Sequence, residues 1–237
     1  MGRGGSQGEL RMRNIILGDI HGCAGALRDA LAAADIGPED WLILLGDLFD
    51  RGPESWEVFQ EAKRLAAEMG ERFVLLRGNH EDYLMRPKLS MTERWAWDRV
   101  GRGATVRSFR EHGERMEDAR PFLEAQCRLF WRGEGLQAVH AGIRTDPVET
   151  NDEYTLVHDH DVVLQNQYAG PLTVTGHIAL DFPTWFAGDG ERAELLPPGE
   201  WLALPERGVI CIDTGCGKGG RLTVMITENG RYRLEWV

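Results

Sequence analysis

Three short apolar runs open the chain, and each stops on the same kind of polar cluster. Asn14-Ile15-Ile16-Leu17 ends in Gly18-Asp19, residues 41–45 end in Gly46-Asp47, and Phe73-Val74-Leu75-Leu76 ends in Arg77-Gly78-Asn79-His80-Glu81. Runs of four or five aliphatic residues without alternation predict strands buried on both faces. Between them, residues 23–34 and 54–69 repeat apolar positions at helical spacing, the first halted by Gly37-Pro38 and the second entered after Gly52-Pro53. Strands alternating with helices predict an α/β fold with a largely parallel sheet, whose ligands gather in the loops beyond the carboxyl ends of the strands.

Residues 82–135 place Trp95, Trp97 and many charges at roughly helical spacing, which predicts a helical insertion over the sheet. The second half reads as more β: 136–140, 172–175 and 209–213, then 222–227 and 232–237 about an Asn229-Gly230 hairpin turn. No Pro/Ser-rich or single-charge linker divides the chain, so one domain spans 13–237 after a flexible leader, 1–12. Met1-Gly2-Arg3-Gly4-Gly5-Ser6 matches an N-myristoylation pattern, but glycine-rich starts match it by chance.

Composition narrows the function. Of 237 residues, 42% are hydrophobic and 27% charged, the profile of a soluble globular protein. Lys and Arg number 27 against 38 Asp and Glu, a net charge of -11, which is the wrong sign for coating nucleic acid but leaves room for a small-anion site. No run approaches the roughly 18 apolar residues of a membrane span. The four dispersed cysteines, Cys23, Cys127, Cys211 and Cys216, form no C-x-x-C pair and predict a reducing, cytoplasmic setting.

The polar clusters carry the chemistry. Asp19, His21, Asp47 and Asp50 follow the first two strands, and Asn79, His80, His140 and His177 sit in short glycine-flanked motifs; His21, His80, His140 and His177 are four of the seven histidines. Any one of these would read as a helix cap, a turn residue or a satisfied surface group. Together they form a mixed carboxylate, imidazole and amide set of the kind that binds first-row divalent metals.

Gly18-Asp19-Ile20-His21-Gly22, Gly46-Asp47-Leu48-Phe49-Asp50-Arg51-Gly52, Gly78-Asn79-His80-Glu81, His140-Ala141-Gly142, Gly176-His177 and Ile212-Asp213-Thr214-Gly215-Cys216 thread nearly the whole chain. In these motifs the sequence resembles the metallophosphoesterases, and within them the phosphoprotein phosphatase group and the diadenosine tetraphosphate hydrolases. The resemblance implies a four-layer αββα sandwich with a dinuclear metal site at the strand ends. It implies one divalent ion on Asp19, His21 and Asp47, and a second on Asp47, Asn79, His140 and His177, with manganese expected first and iron or zinc as alternatives. His80 is then the general acid and Asp50 its orienting partner, while Arg51 and Arg77 offer planar forks to phosphate oxygens.

The pattern departs from the family between Asp146 and Thr175, where no Lys or Arg occurs and relatives carry a further phosphate-binding arginine. Arg144 is the candidate substitute. Residues 158–161, His-Asp-His-Asp, read as an acidic solvated loop rather than a third metal site, and their charge leans toward a phosphomonoester over a polyphosphate. Trp95 and Trp97 read as packing rather than base-stacking platforms, and His112 carries no functional expectation. The expected function is hydrolysis of phosphoserine or phosphothreonine in proteins. The alternatives are a diadenosine tetraphosphate pyrophosphohydrolase and, in another class, a non-catalytic metal or anion sensor; a nuclease is disfavoured by the net charge. The expected partners are therefore a phosphoprotein or a small phosphoester or nucleotide, without bulk nucleic acid and without a membrane.

Overall fold

In the computed structural model, which describes residues 12–237, two β-sheets stack face to face between helices. The leader and its acylation pattern lie outside the described residues, apart from Met12. The elements are β1 (Asn14–Leu17), α1 (Ala24–Ala34), β2 (Trp41–Leu44), α2 (Ser55–Met69), β3 (Phe73–Leu76), α3 (Asn79–Met85), α4 (Met91–Arg99), α5 (Arg102–Glu111) and α6 (Arg120–Gln126). There follow β4 (Cys127–Arg128), β5 (Phe130–Gly133), β6 (Leu136–Val139), α7 (Glu153–Val157), β7 (Thr173–Thr175), β8 (Thr184–Phe186) and β9 (Ala193–Leu195). β10 (Leu202–Ala203), β11 (Val209–Cys211), β12 (Thr223–Glu228) and β13 (Arg231–Trp236) complete the chain.

The first sheet runs β10-β13-β12-β1-β2-β3-β4 and the second β5-β6-β7-β11-β8-β9. The unbroken apolar runs are explained by what each face meets. Ile15, Leu17, Leu42, Leu44, Phe73 and Leu75 pack against Leu27 of α1 and Val58, Phe59 and Leu65 of α2. The alternate residues Ile16, Ile43, Val74 and Leu76 pack between the sheets against Ala138, Val174, Ile210 and Met225. Each such side chain withdrawn from water contributes about 1.5–3 kcal/mol, so a strand with a polar residue at either parity would lose one of its two cores. The fourth layer is thin, with α7 and its flanking loops covering Val139, Val209 and Cys211 through Leu156, Val157 and Val163.

One expectation needs correction, and one stretch that carried none turns out to be structured. The insertion is helical only as far as Gln126; β4 then joins the edge of the first sheet beside β3, and β5 opens the second sheet beside β6. These strands are two and four residues long and carry Arg128 and Arg132, so no apolar period marks them. The stretch 181–206 holds three further short strands, β8 to β10, among glycines and prolines. No helix among the described residues is long and apolar enough to cross a membrane.

The start of β1 is tied down by one buried carboxylate. Asp40 accepts Arg13 N–H (3.0 Å), Arg13 Nε–H (3.1 Å), an Arg13 terminal N–H (2.5 Å) and Gly37 N–H (2.7 Å). Burial raises the Asp40 pKa, but these donors outweigh it and hold the carboxyl below its ordinary value. Asp40→Asn is therefore expected to lose about 1–3 kcal/mol in urea unfolding at pH 7. Since the folded-state pKa is depressed, the difference from the parent is complete above about pH 4 and fades as the pH falls below it.

Candidate active site

Strands β1, β2 and β3 are parallel in one sheet, and β6, β7 and β11 are parallel in the other. Their carboxyl ends lie at one edge, which delivers Asp19 and His21, Asp47 and Asp50, Asn79 and His80, His140, His177, and Asp213 to a common place. The turns that do this are strained: of eight non-glycine residues with positive φ among those described, five are His21, Asp47, Asp50, Arg51 and His177. Each such residue costs about 1–2 kcal/mol, a cost that clusters where side chains have to be aimed.

Two groups of ligand atoms, each within 4.8 Å of one another, share Asp47: His21, Asp47 and His80 in one, and Asp47, His140 and His177 in the other. Asn79 joins the second, its Oδ1 standing 3.2 Å from His140 Nε2 and 3.0 Å from His177 Nδ1. Asp19 stands beside the first, 3.9 Å from His21 Nε2, and its two oxygens accept the His177 backbone N–H at 3.2 and 3.1 Å. All six expected ligands are thus brought together. His80 also falls within reach of the first group, but its ring is engaged elsewhere: Nδ1 donates to Asp50 Oδ2 at 2.6 Å, while Nε2 faces Asp47 Oδ2 at 3.8 Å.

Backbone carbonyls select the ligand nitrogens. His21 Nδ1 donates to Phe49 O (2.7 Å) and His140 Nδ1 to Leu45 O (2.8 Å), which turns the Nε2 lone pairs of both rings toward Asp47 at 3.5 Å. His21 Nε2 is buried and has no hydrogen-bond partner, and Asp213 Oδ2 is in the same position. Burial drives the Asp19 carboxyl well above its usual range, helped by Asp213 and Asp47, and also lowers the imidazoles of His21, His140 and His177, the last to about 3. Asp47 moves the other way: burial would raise it, but His80, His140, His21 and His177 together hold it below the carboxylate range. Imidazole lone pairs facing the Asp47 carboxylate at 3.5 Å, with Asp19 and the Asn79 oxygen beside them, suit divalent cations of the borderline kind, so the donor set fits two such ions.

Two glycines make the approach feasible. A Cβ on Gly176 would lie 2.1 Å from Asp19 Oδ1, and one on Gly78 would lie 2.2 Å from Asp47 Oδ1. Behind Asp47, Glu81 caps the β2 turn, its oxygens accepting the N–H groups of Asp47 (2.7 Å), Leu48 (2.8 Å) and Gly78 (3.1 Å). Burial and the nearby Asp47 charge raise its pKa to about 8. The short Gly78-Asn79-His80-Glu81 motif contains this residue, but its task is invisible without the β2 turn in place.

The arginines divide. Arg51 makes no ion pair within 4 Å among the described residues. Arg77 is held by Glu153 (2.6 Å) with Asp82 at 3.8 Å, and Arg144 is paired with Asp159. Arg77 and Arg144 therefore do not stand as open phosphate forks. The segment 158–161 is likewise not simply solvated. Asp159 is 6% exposed and caps the turn through the N–H groups of Asp161 (3.0 Å) and Val162 (3.1 Å), His158 donates to Asp82 (3.0 Å), and the His160 ring lies 5.2 Å from that of His177. Trp97 is buried as expected, yet its Nε1–H also donates to Asp50 Oδ2 at 2.5 Å, and Thr105 donates to Asp50 Oδ1 at 2.5 Å. Trp95 is 61% exposed, with the Arg99 guanidinium over its ring. His112 stacks on Trp56 away from the site.

Gly176→Ala is expected to displace Asp19 and reduce bound manganese from two ions per chain to about one, measured by elemental analysis after dialysis. Asp47→Asn touches both groups and is expected to lose both ions.

The sequence profile described as calcineurin-like phosphoesterase matches residues 12–204. A symmetrical bis(5'-nucleosyl)-tetraphosphatase of Pseudomonas fluorescens is 25% identical, with 94% of this chain and 95% of that protein aligned. Among solved structures, a metallophosphoesterase from Sphaerobacter thermophilus superposes with a TM-score of 0.64 at 18% identity, over 95% of this chain and 88% of that one. A protein serine/threonine phosphatase from Saccharomyces cerevisiae gives 0.54 at 15%, over 97% and 81%.

Proposed function

From the premise that the chain belongs to the calcineurin-like phosphoesterase family and is a phosphoester hydrolase, we propose that it splits bis(5'-nucleosyl) tetraphosphates at the central anhydride, releasing two nucleoside diphosphates. The observation that carries this reading is the end-to-end alignment with a symmetrical bis(5'-nucleosyl)-tetraphosphatase. The likeness to the yeast protein phosphatase, at 15% identity, bears on the fold alone. The acidic segment that argued for a phosphomonoester loses its force, because the Asp159 charge is balanced by Arg144 and that of Glu153 by Arg77. The substrate proposed from sequence, a phosphoprotein, thus becomes the second reading.

Asp19, His21 and Asp47 would hold one divalent ion and Asp47, Asn79, His140 and His177 the other, with manganese first and iron or zinc as alternatives for this donor set. Bound there, such ions lower the pKa of water toward about 7 and offset phosphate charge. Arg51, unpaired among the described residues and beside Asp50, meets the non-bridging oxygens. His80, 1% exposed, protonates the departing oxygen from Nε2. Burial lowers its pKa, but Asp47 and Asp50 outweigh this and hold the imidazole above its ordinary value.

The departing group of the dinucleotide is a phosphate oxygen whose pKa is about 6, and it needs less protonation than an alkoxide. His80→Asn should therefore slow cleavage of an alkyl phosphate by about 100-fold or more and that of diadenosine tetraphosphate by markedly less; equal losses would remove His80 from the acid role. The substrate reading is tested with manganese-loaded protein on diadenosine tetraphosphate, a phosphothreonine peptide and p-nitrophenyl phosphate. ADP as the sole product of the dinucleotide is expected. Faster peptide turnover would restore the phosphoprotein, and inactivity on all three with two metals bound would leave a sensor.

A further inference from the structure

Asp50 is enclosed by the helical insertion. Trp97, on α4, donates Nε1–H to Oδ2 at 2.5 Å, and Thr105, on α5, donates its hydroxyl to Oδ1 at 2.5 Å. The turn between those helices holds Gly101, whose carbonyl accepts the Arg51 N–H at 3.4 Å; a Cβ on Gly101 would lie 2.4 Å from that nitrogen. The bonding of the Thr105 oxygen is complete. Its proton goes to Asp50, and its two lone pairs take the Asp50 backbone N–H (2.8 Å) and the Ser55 hydroxyl (3.1 Å). Asp50 and Thr105 are 0% exposed, His80 1% and Trp97 3%.

A fully buried carboxylate with three side-chain donors on its two oxygens cannot turn. Asp50 also sits at φ 73°, a strained position that the Thr105 contact to its backbone N–H secures. We infer that Thr105 and Trp97 are positioning residues for protonation of the leaving group: they aim Asp50 Oδ2 at His80 Nδ1–H, which leaves Nε2 as the nitrogen that delivers the proton. In that step the oxygen of water bonds to phosphorus as the P–O bond to the leaving oxygen breaks, the Nε2–H bond breaks, and an O–H bond forms on the leaving oxygen; the proton shed by the attacking water passes to solvent. His80 is left neutral with Nδ1–H still on Asp50, and solvent returns the proton. The inference rests on the hydrolase reading and the acid role of His80, and does not depend on which phosphoester is the substrate.

The test compares phenyl phosphate with p-nitrophenyl phosphate, whose leaving group is the more acidic, using metal-loaded parent, Thr105→Val, Thr105→Ser and Trp97→Phe. Thr105→Val is expected to lose about 10–100-fold in kcat on phenyl phosphate, a part of the general-acid contribution, and less than about threefold on p-nitrophenyl phosphate, with KM and metal content unchanged. Thr105→Ser, which keeps the hydroxyl, restores parent rates, and Trp97→Phe follows Thr105→Val in direction. In an Asp50→Asn background Thr105→Val should cost nothing further. In the zinc-loaded protein, the downfield proton resonance of His80 Nδ1–H should broaden or shift in Thr105→Val and persist in Thr105→Ser. Equal losses on both esters, additive loss with Asp50→Asn, an unchanged resonance, or a parent inert on both esters would each overturn the inference. Should Thr105→Val not fold, Trp97→Phe and Thr105→Ser carry the same comparison. If diadenosine tetraphosphate is not cleaved while the ester pattern holds, the substrate reading falls and this inference stands.

Discussion

Negative charge crowded into a dry edge is the constraint to which the remaining structure answers. Asp19, Asp47 and Asp213 are each about 1% exposed; the charges of Asp213 and Asp47 raise the Asp19 pKa, and that of Asp47 raises Asp213. Such a group survives in a fold only with compensation. Four imidazoles converge on Asp47, the His177 backbone N–H is shared by both oxygens of Asp19, and the loops that carry them adopt left-handed turns to do so. Divalent ions held there would complete this compensation, which would tie the catalytic chemistry of the family to the electrostatics of the fold.

Around that edge, the arginines and acids of the neighbouring loops neutralise one another. Arg77 with Glu153 and Arg144 with Asp159 link the ends of β3 and β6 to α7 and the loop after it. Partly exposed pairs of this kind add little to stability, and they balance the charges of Glu153 and Asp159.

The strand-to-ligand logic was legible because it is local: an apolar run buried on two faces, followed within a few residues by a carboxylate or imidazole. The same holds for the Asp50–His80 pair, whose members lie in separate motifs of that kind. What escaped the sequence depends on residues far apart in the chain. Thr105 lies 55 positions from Asp50 and Trp97 lies 47, on helices whose polar faces look like any solvated surface. Arg77 looked open because Glu153 belongs to a different layer, and β4 and β5 carry arginines where an apolar period was sought. The acidic loop was misread for the same reason, since Arg144 neutralises it across a turn that a linear reading does not close.

Strand β1 lies between β2 and β12, and its pairing with β12 brings Asn14 against Thr227, 213 residues away. One edge of the strand that carries the first ligand motif is thus supplied from the far end of the fold. The loop that carries Asp19 and His21 therefore leans on the far end of the sequence for one of the two neighbours of its strand. Loosening β12 would reach those two side chains without altering either of them.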